Sequence, residues 1–217
     1  MEYLTFALAK GRLAREALKL LERAGVSCPE ALDKTTRKLI FVNEEHKYRF
    51  FLAKATDVPV YVERGAADIG FAGKDTLLEE SRHLCEVLDL GFGFCKMMVA
   101  GFDTPESRAK LKHGDGLKIA TKYPAIAKAH FAGSGQKVEI IKLNGSVELA
   151  PIVGLADFIV DIVETGATLR ENGLAVLEEI MGLSARMVVN SASVKVKRKR
   201  VADLTAKLAP LVGETEW

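Results

Sequence analysis

The order of elements along this 217-residue chain predicts an α/β fold with largely parallel sheets. Three observations carry that expectation. Short apolar runs alternate with amphipathic, helix-like segments over nearly the whole length. One run, 158-FIVDIV-163, is almost continuously apolar, as in a strand buried on both faces. Two stretches, 65-GAADIGFAGKDTL-77 and 154-GLADFIVDIVETGATL-169, share one plan: Gly-x-Ala-Asp, an apolar strand, a glycine-bearing loop and a new helix start.

In chain order, residues 4–8 form an apolar strand, followed by a loop at Lys10, Gly11 and Arg12. Leu13, Ala17, Leu20, Leu21 and Ala24 are spaced as one helix face that Gly25 ends. Strands are expected over 39–42 and 48–53. Pro59 suits the first turn of a helix that stops near Gly65. Residues 69–72 form a fourth strand, ending at Gly73 and Lys74, with a short helix from Asp75. Strands over 85–90 and 97–101 follow. A helix begins after Thr104-Pro105, a strand covers 117–121, Pro124 opens a helix to Phe131, and 138–142 is a strand. Ser146 is a candidate N-cap for a helix over 147–153. Asn172-Gly173 is a turn signal that cuts the helix around Thr168 short. Leu174, Val176 and Ile180 alternate as in a strand that crosses between lobes, and 185–190 reads as another. Val201, Leu204, Leu208 and Leu211 mark the face of a last helix. The basic run 195-KVKRKR-200 before it lacks interleaved aromatics and reads as a solvated face. Gly65 and Gly154 read as helix-ending residues that lead into strands.

Composition narrows the function classes. With 48% hydrophobic and 28% charged residues the chain can bury a core and is no disordered segment. A net charge of +2 gives no broad footprint for nucleic acid, so anion binding must be local. Cys28, Cys85 and Cys95 form neither a disulfide framework nor a zinc or redox pair. The four histidines lack ligand spacing and read as surface or packing residues. No secretory signal and no apolar stretch of ~18 uncharged residues is present, so a cytoplasmic protein is expected.

The stretch 161-DIVETGATLR-170 brings carboxylates to the mouth of a strand and follows them with a small, hydroxyl-rich turn. It reads either as an ordinary capped helix or as a cradle. In the second reading, backbone N–H groups from Thr165 to Leu169 hold a monophosphate, with the hydroxyls of Thr165 and Thr168 as added donors. Asp161 and Glu164 would repel that phosphate; carboxylates instead accept hydrogen bonds from sugar hydroxyls or hold magnesium. The stretch then holds a ribose 5-phosphate. Lys10 and Arg12 stand where a helix dipole disfavours cations, which points to neutralisation of a diphosphate; Arg37, Lys54 and Lys74 are candidates of the same kind. No Ser-His-Asp or Cys-His arrangement stands out. In open α/β sheets ligands bind beyond the carboxyl ends of strands, so two lobes with such loops would face a common cleft.

The strings ALAKGRL (7–13), DVPVYVERGAADIGFAGKD (57–75), LDLGFGFCKMMVAG (88–101), NGSVELAPIVGLADFIVDIVETGATLRENGL (144–174) and ARMVVNSASVKVKR (185–198) resemble ATP phosphoribosyltransferase, the first enzyme of histidine biosynthesis. The resemblance is to the short form, in which the chain stops after two catalytic lobes. It implies a two-lobed, type II periplasmic-binding-protein-like fold, with mixed, mostly parallel sheets and a cleft between lobes. Residues 1–95 with 181–217 would form one lobe and 96–180 the other. It also implies that 161–169 is the phosphoribosyl-pyrophosphate motif. The catalytic set is then Lys10, Arg12 and Arg37. The substrate-binding set is Gly11, Lys54, Asp57, Gly73, Lys74, Asp161, Glu164, Thr165, Gly166, Ala167, Thr168 and Leu169. No resident metal is expected; magnesium (Mg2+) would arrive with the substrate phosphates. ATP and phosphoribosyl pyrophosphate are the implied substrates. The implied partners are a second copy in a homodimer and a regulatory subunit resembling histidyl-tRNA synthetase in a hetero-octamer, with no nucleic acid and no membrane. Ala9, Lys54 and Ser191 depart from the family pattern of proline, arginine, and arginine or proline. A non-catalytic solute-binding protein of the same fold is the alternative.

Overall fold

The computed structural model describes residues 2–32 and 37–212. The chain divides into two compact units, Met1–Gly93 with Ser184–Trp217, and Phe94–Leu183. In the first, β1 (Leu4–Ala9) leads into α1 (Arg12–Arg23), which buries Ala14, Ala17, Leu18, Leu20 and Leu21. The hairpin strands β2 (Ile40–Asn43) and β3 (Tyr48–Ala53) precede α2 (Val58–Glu63), which has a proline in its first turn. Then come β4 (Ile69–Gly73), α3 (Lys74–Glu80) and β5 (Leu84–Asp89). Gly70 on β4 serves packing: a Cβ there would stand 2.6 Å from Val62 Cγ2 and 2.9 Å from Val58 Cγ1, so only glycine lets α2 lie this close to the sheet.

The second unit contains β6 (Cys95–Gly101), α4 (Pro105–His113), β7 (Leu117–Thr121), α5 (Pro124–Gly133) and β8 (Val138–Lys142). It continues with α6 (Leu149–Ile152), β9 (Phe158–Val163), α7 (Ala167–Glu171) and β10 (Ala175–Leu183). The chain then returns to the first unit for β11 (Ala185–Asn190), α8 (Ser193–Val196) and α9 (Arg198–Leu208).

The sheet orders are β2-β3-β1-β4-β11-β5 and β10-β6-β9-β7-β8. Setting β2 aside, the two sheets repeat one plan. The series β3-β1-β4-β11-β5 and β8-β7-β9-β6-β10 have the same pairing senses: parallel, parallel, antiparallel, antiparallel. Antiparallel pairing is thus more extensive than the alternation of elements suggested. β6 and β11 are each the first strand after the chain passes between units, and no βαβ crossover dictates their direction.

The repeated Gly-x-Ala-Asp has a physical role in both units. Gly65 and Gly154 have φ of 73°, the left-handed region that turns a helix end toward a strand. The aspartate then closes a two-bond ring with the neighbouring parallel strand. Asp68 N–H donates to Thr5 O (2.9 Å), while Thr5 N–H donates to Asp68 Oδ2 (2.8 Å). Asp157 N–H donates to Lys118 O (2.8 Å), while Lys118 N–H donates to Asp157 Oδ2 (2.9 Å). Each ring pins β4 on β1, or β9 on β7, at the start of the strand, and so sets which residues emerge at its carboxyl end.

Three expectations need correction or adjustment. Ser146 is no N-cap: its φ is 49°, and α6 is a single turn beginning at Leu149. The run 195–200 is more than a solvated face. Lys197 Nζ donates to Asp68 Oδ2 (2.8 Å) and to Tyr3 O (2.6 Å), and the Arg200 guanidinium lies 5.0 Å from the Tyr48 ring centre and donates to His46 O. Cations held this way tie α8 and α9 back to the first strand, which a charge count cannot reveal. The strand expected near Ile180 runs on to Leu183, because its pairing with β6 continues to Leu183 opposite Cys95. It lies wholly within the second unit.

Asp68 is 7% exposed and accepts from Thr5 N–H, the Ser193 hydroxyl (2.6 Å) and Lys197. Asp68→Ala orphans all three donors, so urea denaturation should show a loss of about 2–4 kcal/mol.

Candidate active site

In the second unit β9 is the central strand, with Phe158, Ile159 and Val160 buried between β6 and β7. The strand emerges at Asp161, which is half-buried. Burial raises the Asp161 carboxyl above the ordinary range, and the negative charge of Glu148 adds to this; the Ile162 backbone N–H and the Lys122 ammonium act in the opposite direction. Past the strand, Gly166 takes φ 70°, and α7 begins at Ala167. The turn is held from its own helix: Arg170 Nη1 donates to Thr165 O (2.9 Å), and Ala167 N–H donates to Thr165 Oγ1 (3.4 Å). Leu169 anchors the helix in a buried cluster with Ala150, Ile159 and Leu174. Gly166 cannot be replaced freely, since a Cβ would stand 3.1 Å from Arg170 Nη1 on a backbone that L residues disfavour. Together these elements enclose a cavity of about 280 Å³ lined by residues 161–169 with Ile159 and Glu148. Asp161, Glu164, Thr165, Gly166, Ala167, Thr168 and Leu169 are therefore brought to one place. Three carboxylates, of Glu148, Asp161 and Glu164, line it together with the first turn of α7, whose N–H groups lack intrahelical acceptors.

In the first unit β3, β1 and β4 are adjacent and parallel, so their carboxyl ends share one sheet edge. Lys54, Lys10 and Lys74 follow those three strands directly. Lys10 N–H donates to Ala53 O (2.9 Å), which fixes the relative height of the first two. Gly11, with φ 97°, turns the chain into α1 at Arg12. Asp57, in the 3-10 turn before α2, and Gly73, the buried last residue of β4, complete this edge. Arg37 precedes β2, whose first residue, Ile40, pairs with Phe51 near the same edge. Lys10, Gly11, Arg12, Arg37, Lys54 and Asp57 are exposed, whereas Lys74 is half-buried with its Nζ 2.6 Å from Glu86 Oε2. The predicted residues thus fall into two groups, one on each unit. Among the departures, Ala9 ends β1 opposite Ala53, and the Ser191 hydroxyl lies 3.9 Å from Cys85 Sγ.

Glu148, Lys122 and Glu86 were missed by sequence reasoning. Lys122 had a signal, because it follows β7 as Lys10 follows β1, and the repeated Gly-x-Ala-Asp already aligns the two units. Glu148 and Glu86 had none: each meets its partner, Asp161 or Lys74, from a different element, with no local spacing to mark the pair.

The sequence model of the family HisG, ATP phosphoribosyltransferase, matches residues 54–210. The ATP phosphoribosyltransferase of Lachnoclostridium phytofermentans is 58% identical over 217 residues, the full length of both chains. The chain belongs to the ATP phosphoribosyltransferase family. Among solved structures, the ATP phosphoribosyl transferase (HisG:HisZ) complex from Thermotoga maritima contains a chain 35% identical to this one, with a TM-score of 0.79 and coverage of 96% and 98% of the two chains. The periplasmic VFT2 domain of Bordetella pertussis BvgS aligns with a TM-score of 0.59 at 13% identity, covering 97% and 88%. That likeness shows the fold alone: a two-lobed architecture of the periplasmic-binding-protein type. For an ATP phosphoribosyltransferase family member, the carboxylates and turn at 161–169 fall on a segment that the family match covers.

The Asp161 carboxyl gives a pH test. In the unfolded chain it titrates near ~3.9, and burial raises that value in the native state, so stability falls as pH climbs through the raised native value. Asp161→Asn should raise the melting temperature at pH 7, and the difference should close below pH ~4, where both states of the wild type are protonated. A pH series of thermal denaturation curves checks this.

Proposed function

We propose that this chain is an ATP phosphoribosyltransferase that joins N1 of the ATP adenine to C1 of phosphoribosyl pyrophosphate, the first step of histidine biosynthesis. The observation that carries the proposal is the cavity lined by 161–169, where carboxylates at the half-buried end of β9 and just past it meet a left-handed glycine turn. Asp161 and Glu164 accept hydrogen bonds from the ribose hydroxyls, and the N–H groups and hydroxyls from Thr165 to Thr168 receive the 5-phosphate. The N1 lone pair forms the bond to C1 while the C1–O bond to pyrophosphate breaks, and the electron pair leaves with pyrophosphate. Adenine N1 is already a nucleophile, so catalysis rests on alignment and on stabilising the leaving charge. Lys10, Arg12 and Arg37 are assigned to that charge, with Lys54 and Lys74 as further anion contacts.

Among the described residues no group of three or more His, Cys, Asp or Glu side chains is arranged to hold a metal ion. Asp161 and Glu164 provide one or two carboxylates, the number that magnesium takes from protein when it also binds substrate phosphates. Magnesium so bound would lower the charge developing on the leaving group. No helix among the described residues is long and apolar enough to cross a membrane. We place the enzyme in the cytoplasm, with its nucleotide substrate.

Pyrophosphate release on mixing the purified chain with ATP, phosphoribosyl pyrophosphate and magnesium tests the proposal, and no release would reject it. Lys10→Ala and Arg12→Ala should each lower kcat/KM by an amount on the order of ten- to a thousandfold. Near-normal kinetics in both would make them surface residues.

The likeness to a HisG:HisZ complex supports a HisZ-like regulatory partner; we further propose a homodimer of this chain alone and a mixed complex of about eight chains with that partner. An effector shifts activity only by binding two states of an assembly differently. The purified chain should therefore be a dimer whose turnover histidine does not inhibit, with inhibition appearing when the partner is added. Light scattering and inhibition curves check both.

A further inference from the structure

The first unit contains a closed ring of polar contacts at the edge where Lys74 stands. Lys74 Nζ is 2.6 Å from Glu86 Oε2, and Arg186 Nη1 is 3.4 Å from Glu86 Oε1. Arg186 Nη2 is 2.9 Å from Asp89 Oδ2, and the Ser184 hydroxyl donates to both Asp89 oxygens, at 2.8 and 2.9 Å. The ring closes on the backbone, where Lys74 N–H donates to Ser184 O (2.9 Å). Ser184 is 1% exposed and is the first residue after the chain re-enters this unit. Asp89 also holds the segment by which the chain leaves, accepting from Gly91 N–H (3.1 Å), and Leu90 and Phe92 exchange backbone hydrogen bonds with Ala185 (2.9 Å each). Arg186 Nε is buried with no hydrogen-bond partner among the described residues. An orphaned donor is costly, so the guanidinium is placed for its two carboxylates rather than for its own satisfaction.

Neither carboxylate is needed to build the sheet, since β5 and β11 pair through their backbones. We propose that Glu86 is a positioning residue that aims the Lys74 ammonium at an anionic group of the substrate, and that Arg186 and Asp89 anchor Glu86 to the two segments joining the units. This rests on the transferase reading only in naming phosphoribosyl pyrophosphate as the anion. A lysine on four rotatable bonds is a poor aiming device by itself. Pairing with a carboxylate that an arginine holds from the other side restricts it to one direction and leaves its remaining N–H donors for a ligand.

The test is a double-mutant cycle on the full chain with Lys74→Ala, Glu86→Gln and both together, read in turnover and in calorimetric affinity for phosphoribosyl pyrophosphate. Each single change should cost about tenfold or more in kcat/KM and in affinity, and the double variant should be no worse than Lys74→Ala. Asp89→Asn, which keeps its shape, should show a smaller loss that also vanishes in the Lys74→Ala background. Losses that add would mean that Glu86 acts structurally and would overturn the proposal. So would full function in Glu86→Gln or in Lys74→Ala. Absence of wild-type turnover would reject the transferase reading, while the affinity cycle would still decide the pair.

Discussion

The register of one central strand in each unit governs everything at the site. β4 and β9 are each preceded by an aspartate that exchanges two hydrogen bonds with the neighbouring parallel strand. A slip of one residue would turn every side chain of these strands to the opposite face, sending Asp161 away from its cavity. The two-bond ring makes such a slip costly, because it takes three backbone groups and a carboxylate oxygen away from their partners. Each ring has a cation beside it: Lys197 at 2.8 Å from Asp68, and Lys110 at 2.6 Å from Asp157. The two cations come from unrelated parts of the chain, one from the end of α8 and one from α4, yet they fill the same role.

With register set, the carboxyl edges acquire opposite chemistry. The edge of the first unit carries lysines after three adjacent parallel strands. The cavity of the second is lined by Glu148, Asp161 and Glu164 together with the turn that opens α7. Each surface suits one kind of chemistry, since carboxylates accept hydrogen bonds whereas ammonium groups donate them. Burial keeps the Asp161 carboxyl above its ordinary range, which costs the fold stability wherever the group is ionised.

Much of this was legible in the sequence because it depends on local rules. The apolar run of β9, the proline openings of α2, α4 and α5, and the turn at 172–173 are signals that act within a few residues. The likeness between 65–77 and 154–169 was visible as a repeated string, and it predicted that two units share one plan. Ser146 misled because a serine before an apolar run looks like a cap, whereas the segment completes only one turn. The basic run misled for another reason: Lys197 and Arg200 are surface-like by composition, but strand β1 and its neighbours lie within reach of their long side chains.

By itself the sequence determined the alternating elements, the two related units, the family, and the residues that follow each strand, because all of these are carried by periodicity, turn chemistry and ordered strings. Tertiary structure alone decided which of those residues meet. The antiparallel return of β6 and β11 could not be read from the chain, since nothing local dictates the direction of a strand that follows a passage between units. Nor could the pairing of Lys74 with Glu86, of Arg186 with Asp89, or of Asp161 with Glu148 as neighbours. Such pairs join different elements of the fold, and their geometry exists only once backbone hydrogen bonding has fixed the register of the sheets that carry them.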